Sequence, residues 1–112
     1  MDVADGIKGF ESAGYMGECF WPDVTEEALA SADTRARRAA GELTAEGHEV
    51  RYLGSVLVAD DEVVFFFFDG PSVGLVEEAG KRADIDFARV MRTVGARARR
   101  PVVRDPNERR SS

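Results

Sequence analysis

The stretch Val63-Val64-Phe65-Phe66-Phe67-Phe68 decides how the rest of the chain is read. A strand sends alternate side chains to opposite faces. Phe65 and Phe67 therefore face one way, and Val64, Phe66 and Phe68 face the other. A strand with one wet face alternates apolar and polar residues. This one does not, so both of its faces need cover. With 112 residues the chain is one domain in size, too short to build two thick layers of its own. Part of the cover is expected from a second copy or from a ligand.

Working outward, Val50 to Val58 reads as the preceding strand, with Tyr52, Gly54, Val56 and Val58 on one face and Leu53, Ser55 and Leu57 on the other. Asp60-Asp61 makes the turn, so the two strands form an antiparallel hairpin. Tyr15 to Trp21 reads as an earlier strand, with Met16, Glu18 and Phe20 opposite Tyr15, Gly17, Cys19 and Trp21; Pro22 ends it. Thr25, with Glu26 and Glu27 behind it, starts a helix running to about Glu46. Leu29, Ala32, Ala36, Ala39, Ala40 and Leu43 recur at three- and four-residue spacing as its buried stripe. Asp33 and Arg37 stand as an i,i+4 pair of favourable polarity, and Gly47 suits the left-handed position after the last turn. Gly70-Pro71-Ser72 opens a second helix with Ser72 as its cap. Val73, Val76 and Ala79 to Ala83 form its apolar side. Phe87 to Val94 is read as the last strand.

The order is βαββαβ, an α+β, ferredoxin-like arrangement. It puts two helices on one face of a four-stranded antiparallel sheet and leaves the other face bare in a monomer. The expected division is a loose extension over 1–14, the domain over 15–94 and a basic tail over 95–112.

The net charge of −6 splits into +4 over residues 95–112, where six arginines meet Asp105 and Glu108, and −10 over the remainder. An acidic body does not suit a nucleic-acid surface. No apolar run reaches the ~20 residues of a membrane helix, and the acidic N-terminus does not read as a secretory signal. The single cysteine, Cys19, rules out an intrachain disulfide and a cysteine cluster for zinc. A reducing cytoplasm fits this usage.

The runs Glu18-Cys19-Phe20-Trp21-Pro22, Val50-Arg51-Tyr52-Leu53-Gly54-Ser55 and Phe68-Asp69-Gly70-Pro71-Ser72 together resemble a family of small bacterial domains of unknown function, one member of which is described as a nickel-binding protein. The resemblance spans roughly Tyr15 to Val94. It implies the ferredoxin-like fold and a homodimer joined through the sheets. Many members carry a histidine where this chain has Gly54 and a cysteine where it has Phe66. Both metal-capable side chains are missing here.

Several residues are candidates for chemistry. Glu18 shares a strand face with Met16 and Phe20. A carboxylate on an apolar face has its charged form disfavoured, which suits a general acid or base; a rim glutamate paired to Arg51 or another arginine is the plainer account. His48 reads as a helix-end histidine, since no second histidine exists to complete a metal site. Cys19, without a neighbouring base, reads as a small buried hydrophobe. Trp21, Tyr52, Phe66 and Phe68 are candidates to line an aromatic ligand pocket, with Gly54 and Gly17 leaving room for a flat molecule. No metal site and no particular cofactor is expected. Three classes follow: a dimer that binds a small apolar or aromatic molecule, or a metal as its relatives do; a cofactor-free enzyme using Glu18 or Tyr52; or a partner-binding module.

Overall fold

The computed structural model describes residues 13–94. The elements in chain order are β1 (Ala13–Phe20), α1 (Glu26–Ala45), β2 (Arg51–Val58), β3 (Val63–Gly70), α2 (Val73–Arg82) and β4 (Arg89–Arg92), with a single 3-10 turn, Ala59–Asp61, in the β2–β3 hairpin. The sheet order is β2-β3-β1-β4 and every neighbouring pair is antiparallel. This is the expected α+β, ferredoxin-like fold. β1 begins two residues earlier than the sequence suggests, taking Ala13 and Gly14 from the expected extension. The rest of that extension and the basic tail lie outside the described residues.

The helix starts form for the reasons read in the sequence. Thr25 accepts from the Ala28 amide at 3.0 Å and Ser72 from the Leu75 amide at 3.3 Å, each relieving a donor the first turn leaves unpaired. Ala32, Ala36, Ala39, Ala40 and Leu43 are the buried residues of α1. Small side chains let the helix lie close to the sheet, under which Val64, Phe66 and Phe68 sit fully buried. In α2 the buried residues are Val76, Ala79 and Gly80; Val73, expected on the apolar side, is exposed.

Two departures have local causes. In β2 the register slips between Tyr52 and Gly54. The bulge turns Tyr52, Ser55 and Leu57 toward the helices and leaves Gly54, Val56 and Val58 on the far face, which corrects the grouping of Tyr52 with Gly54 and Val56. Leu53 is the extra residue, skipped in the register with β3, and Gly54 beside it has φ +130, a conformation that L side chains rarely adopt. At the other edge, the last strand starts at Arg89 and not at Phe87. Phe87 instead drops its ring between β1 and α2. A Cβ on Gly17 would come within 2.7 Å of that ring and one on Gly80 within 2.5 Å. The room at Gly17 is thus filled from inside the chain.

The two helices are tied together at their C-terminal ends. Arg82 donates from both Nη atoms to Glu46 at 2.8 and 2.9 Å and from Nε to Glu78 at 3.1 Å. These contacts hold the Glu46 carboxyl below its ordinary range, chiefly through the hydrogen bonds from Arg82.

Candidate functional site

Strand register defines the face that the helices do not cover. Opposed residues on neighbouring strands share a face, so Met91, Met16, Phe67 and Gly54 form one row across β4, β1, β3 and β2. The next row is Arg89, Glu18, Phe65 and Val56, and the one after it Phe20, Val63 and Val58. The opposite end carries Gly14, Asp69 and Arg51. The inner strands β1 and β3 therefore place Met16, Phe65 and Phe67 at the centre of the open face together with Glu18, with Met91 and Val56 beside them on the edge strands. Phe20 and Val56 are 64% and 51% exposed, and Phe65 and Phe67 are half-buried.

Charge on this face is internally matched, and Glu18, on the inner strand β1, stands between Met16 and Phe20 opposite Phe65. Arg89 donates to Glu18 at 2.7 Å, and Arg51 donates to Asp69 at 3.2 Å. Of the two partners foreseen for Glu18, it is another arginine, Arg89, and not Arg51 that pairs with it. Beside Phe67, a Cβ on Gly54 would meet nothing within 4 Å, so the bulge leaves open space next to an aromatic ring.

The ligand-lining residues expected from the sequence do not converge. Phe66 and Phe68 are 0% exposed beneath the helices. Tyr52 lies on the same side, its ring 5.1 Å from that of Phe68. Its hydroxyl donates to Asp33, which also accepts from Ser55 at 2.7 Å, and the Arg37 guanidinium stands 5.5 Å from the ring centroid. Asp33 thus serves β2, where the sequence pairs it with Arg37. Burial, then the bond to Asp33, pushes the Tyr52 hydroxyl well above the ordinary tyrosine range. Gly54 alone of the five opens onto the bare face. Trp21 lines a separate shallow groove of about 220 Å³ with Phe20, Arg35, Asp84 and Asp86, and a second groove of about 300 Å³ runs between α2 and β4.

The residues added by the structure are Met16, Val56 and Met91, and the signal for them was pairing with Phe65 and Phe67, which needs the register. His48 is exposed, and its backbone amide donates to Leu43 at 2.8 Å. Burial, and then the charge of Asp86, raise the Cys19 thiol pKa, as suits a small buried hydrophobe. Among the described residues no three His, Cys, Asp or Glu side chains converge as metal ligands, and no helix is long and apolar enough to cross a membrane.

The chain is similar to the crystal structure of SCO4226 from Streptomyces coelicolor A3(2), with a TM-score of 0.64 and 16% identity, over 77% of this chain and 100% of that one. No protein-family model and no curated protein matches it. At this identity the likeness carries the fold alone, and it agrees with the small-domain architecture that the sequence resembles.

Proposed function

We propose that the protein is a non-catalytic binding protein, and that a small apolar or aromatic molecule lies on the open sheet face beside Gly54, against Phe67, Met16 and Val56. The observation that carries this reading is an apolar surface of Met16, Phe65, Phe67, Met91 and Val56 whose central carboxylate, Glu18, is held by Arg89. Isolated proteins seldom leave an apolar patch of more than a few hundred Å² uncovered, and aromatic and aliphatic side chains around an open space are the usual walls of a small-molecule site. The expected assembly is a homodimer.

Glu18 as a general acid or base is the runner-up. Its carboxylate is engaged by Arg89 at 2.7 Å, and nothing favours that reading over a plain ion pair on the sheet face. The nickel reading finds no set of three converging His, Cys, Asp or Glu ligands among the described residues, and we do not adopt it.

The test is titration with 1-anilinonaphthalene-8-sulfonate, an aromatic reporter of apolar sites, alongside mass spectrometry of molecules extracted from the purified protein. Wild-type protein is expected to enhance the dye's emission saturably, and Phe67→Ser to lose most of that enhancement while keeping native circular dichroism. Equal enhancement by both proteins, or none by the wild type, contradicts the reading.

A further inference from the structure

The two edges of the sheet are protected differently. β4 is short, Arg89–Arg92, with arginine at both ends. Antiparallel pairing of β4 with a second β4 would bring arginines together, and like charges placed opposite are destabilising. Charge and short length are how natural sheets blunt an edge. β2 has neither device. From Tyr52 to Ala59 it carries no charged residue, although it is the other edge of the sheet. Leu53, Val56 and Leu57 are 56%, 51% and 39% exposed. The bulge lies at one end of the strand, and from Gly54 to Val58 the ladder with β3 is regular. The outer backbone groups of that segment have no neighbouring strand in the sheet.

The charges bounding this segment are self-complementary. Arg51 and Asp61 stand at equal distance in sequence on either side of Val56. An antiparallel pairing about a two-fold axis at Val56 sets Gly54 of each copy opposite Val58 of the other and points the Arg51 end of each β2, an exposed arginine that also holds Asp69, toward the acidic turn Asp60-Asp61-Glu62 of the other. An isologous contact requires this kind of self-matching. We propose that the β2 edge binds the β2 edge of a second copy of this chain, joining two four-stranded sheets into one of eight strands. This rests on the homodimer reading and fixes its surface; the open apolar faces then lie side by side and stay accessible to a ligand.

The experiment is cysteine cross-linking in a Cys19→Ala background. Residues opposite in an antiparallel pair have Cα atoms ~4.5–5.5 Å apart, within the range a disulfide spans. Val56→Cys is expected to give a covalent dimer on mild oxidation, and Phe67→Cys, at the centre of the open face, to remain uncross-linked. The full-length Leu53→Lys, Val56→Lys variant is expected to sediment as a monomer with unchanged circular dichroism. Cross-linking through residue 67 and not 56 overturns the edge contact but leaves a homodimer closed face to face. A dimer that survives both lysines overturns the edge contact too. A wild-type monomer at micromolar concentration overturns both the edge contact and the homodimer, whereas loss of dye binding at Phe67 bears on the ligand alone.

Discussion

Phe66 and Phe67 are neighbours in sequence with opposite duties. Phe66 is 0% exposed beneath the helices, with the Phe87 ring 5.8 Å away; Phe67 looks across to Met16 and Gly54. Replacing a fully buried phenylalanine by alanine costs ~3–5 kcal/mol, a large share of a stability of ~5–15 kcal/mol. Phe66→Ala should lose stability on that scale in urea unfolding, and Phe67→Ala should lose clearly less. Equal losses would mean that the strand does not have two different faces. Gly80 makes a sharper case. In a helix interior Gly→Ala normally gains ~1 kcal/mol, yet a Cβ there would sit 2.5 Å from the Phe87 ring. Overpacking costs ~1–3 kcal/mol, so Gly80→Ala should lower the melting temperature, and a rise would show that the ring gives way. Tyr52 adds a pH dependence. Its folded pKa is raised, so its contribution is complete below the ordinary value of 10 and is lost as pH rises toward the folded value. Unfolding free energy followed from pH 9 upward should fall, and Tyr52→Phe should flatten that fall.

At the level of the elements, what could be read was whatever is local. The caps Thr25 and Ser72, the alanine stripe of α1 and the two-faced pattern of β3 depend on residues a few positions apart, and each forms as the spacing implies. The bulge in β2 is not legible, because Gly54 in a strand fits either spare room or the backbone turn beside an extra residue, here Leu53, and only pairing with β3 separates them. The one-residue slip at Leu53 puts Tyr52 and Ser55 together on the helix side, where both reach Asp33. The start of β4 is hidden in the sequence for a similar reason: the slot for Phe87 is made by Gly17 and Gly80, which lie far apart in sequence. The candidate site suffered most. Its aromatic residues stand out in the sequence, but Phe66 and Phe68 lie in the core and Tyr52 packs against it rather than lining a ligand site. The helix pairing yields a prediction at this scale. Glu46 is held in its charged form by Arg82, so its depressed folded pKa contributes stability above the unfolded value that is lost as pH falls through the folded one. Arg82→Ala should lower the melting temperature at neutral pH and reduce the loss of stability on acidification; an unchanged acid limb would remove the link from the account.

On the scale of the whole molecule, the two sides of the sheet divide the work. One is closed by α1 and α2 over Val64, Phe66 and Phe68. The other has Met16, Phe65, Phe67 and Val56, with its charges held in the Glu18–Arg89 and Asp69–Arg51 pairs. The two grooves lie beside the 84–88 connector and are lined by mixed charge, so they compete with the open face as places for a small molecule. Amide chemical-shift mapping of the full chain, titrated with an aromatic probe such as 1-anilinonaphthalene-8-sulfonate, separates these surfaces directly. Saturable shifts concentrated at Met16, Gly54, Val56, Phe65 and Phe67 are the predicted result. Shifts confined to Trp21, Asp84 and Asp86, or to Lys81, Phe87 and Val90, with the open face unmoved, would contradict it.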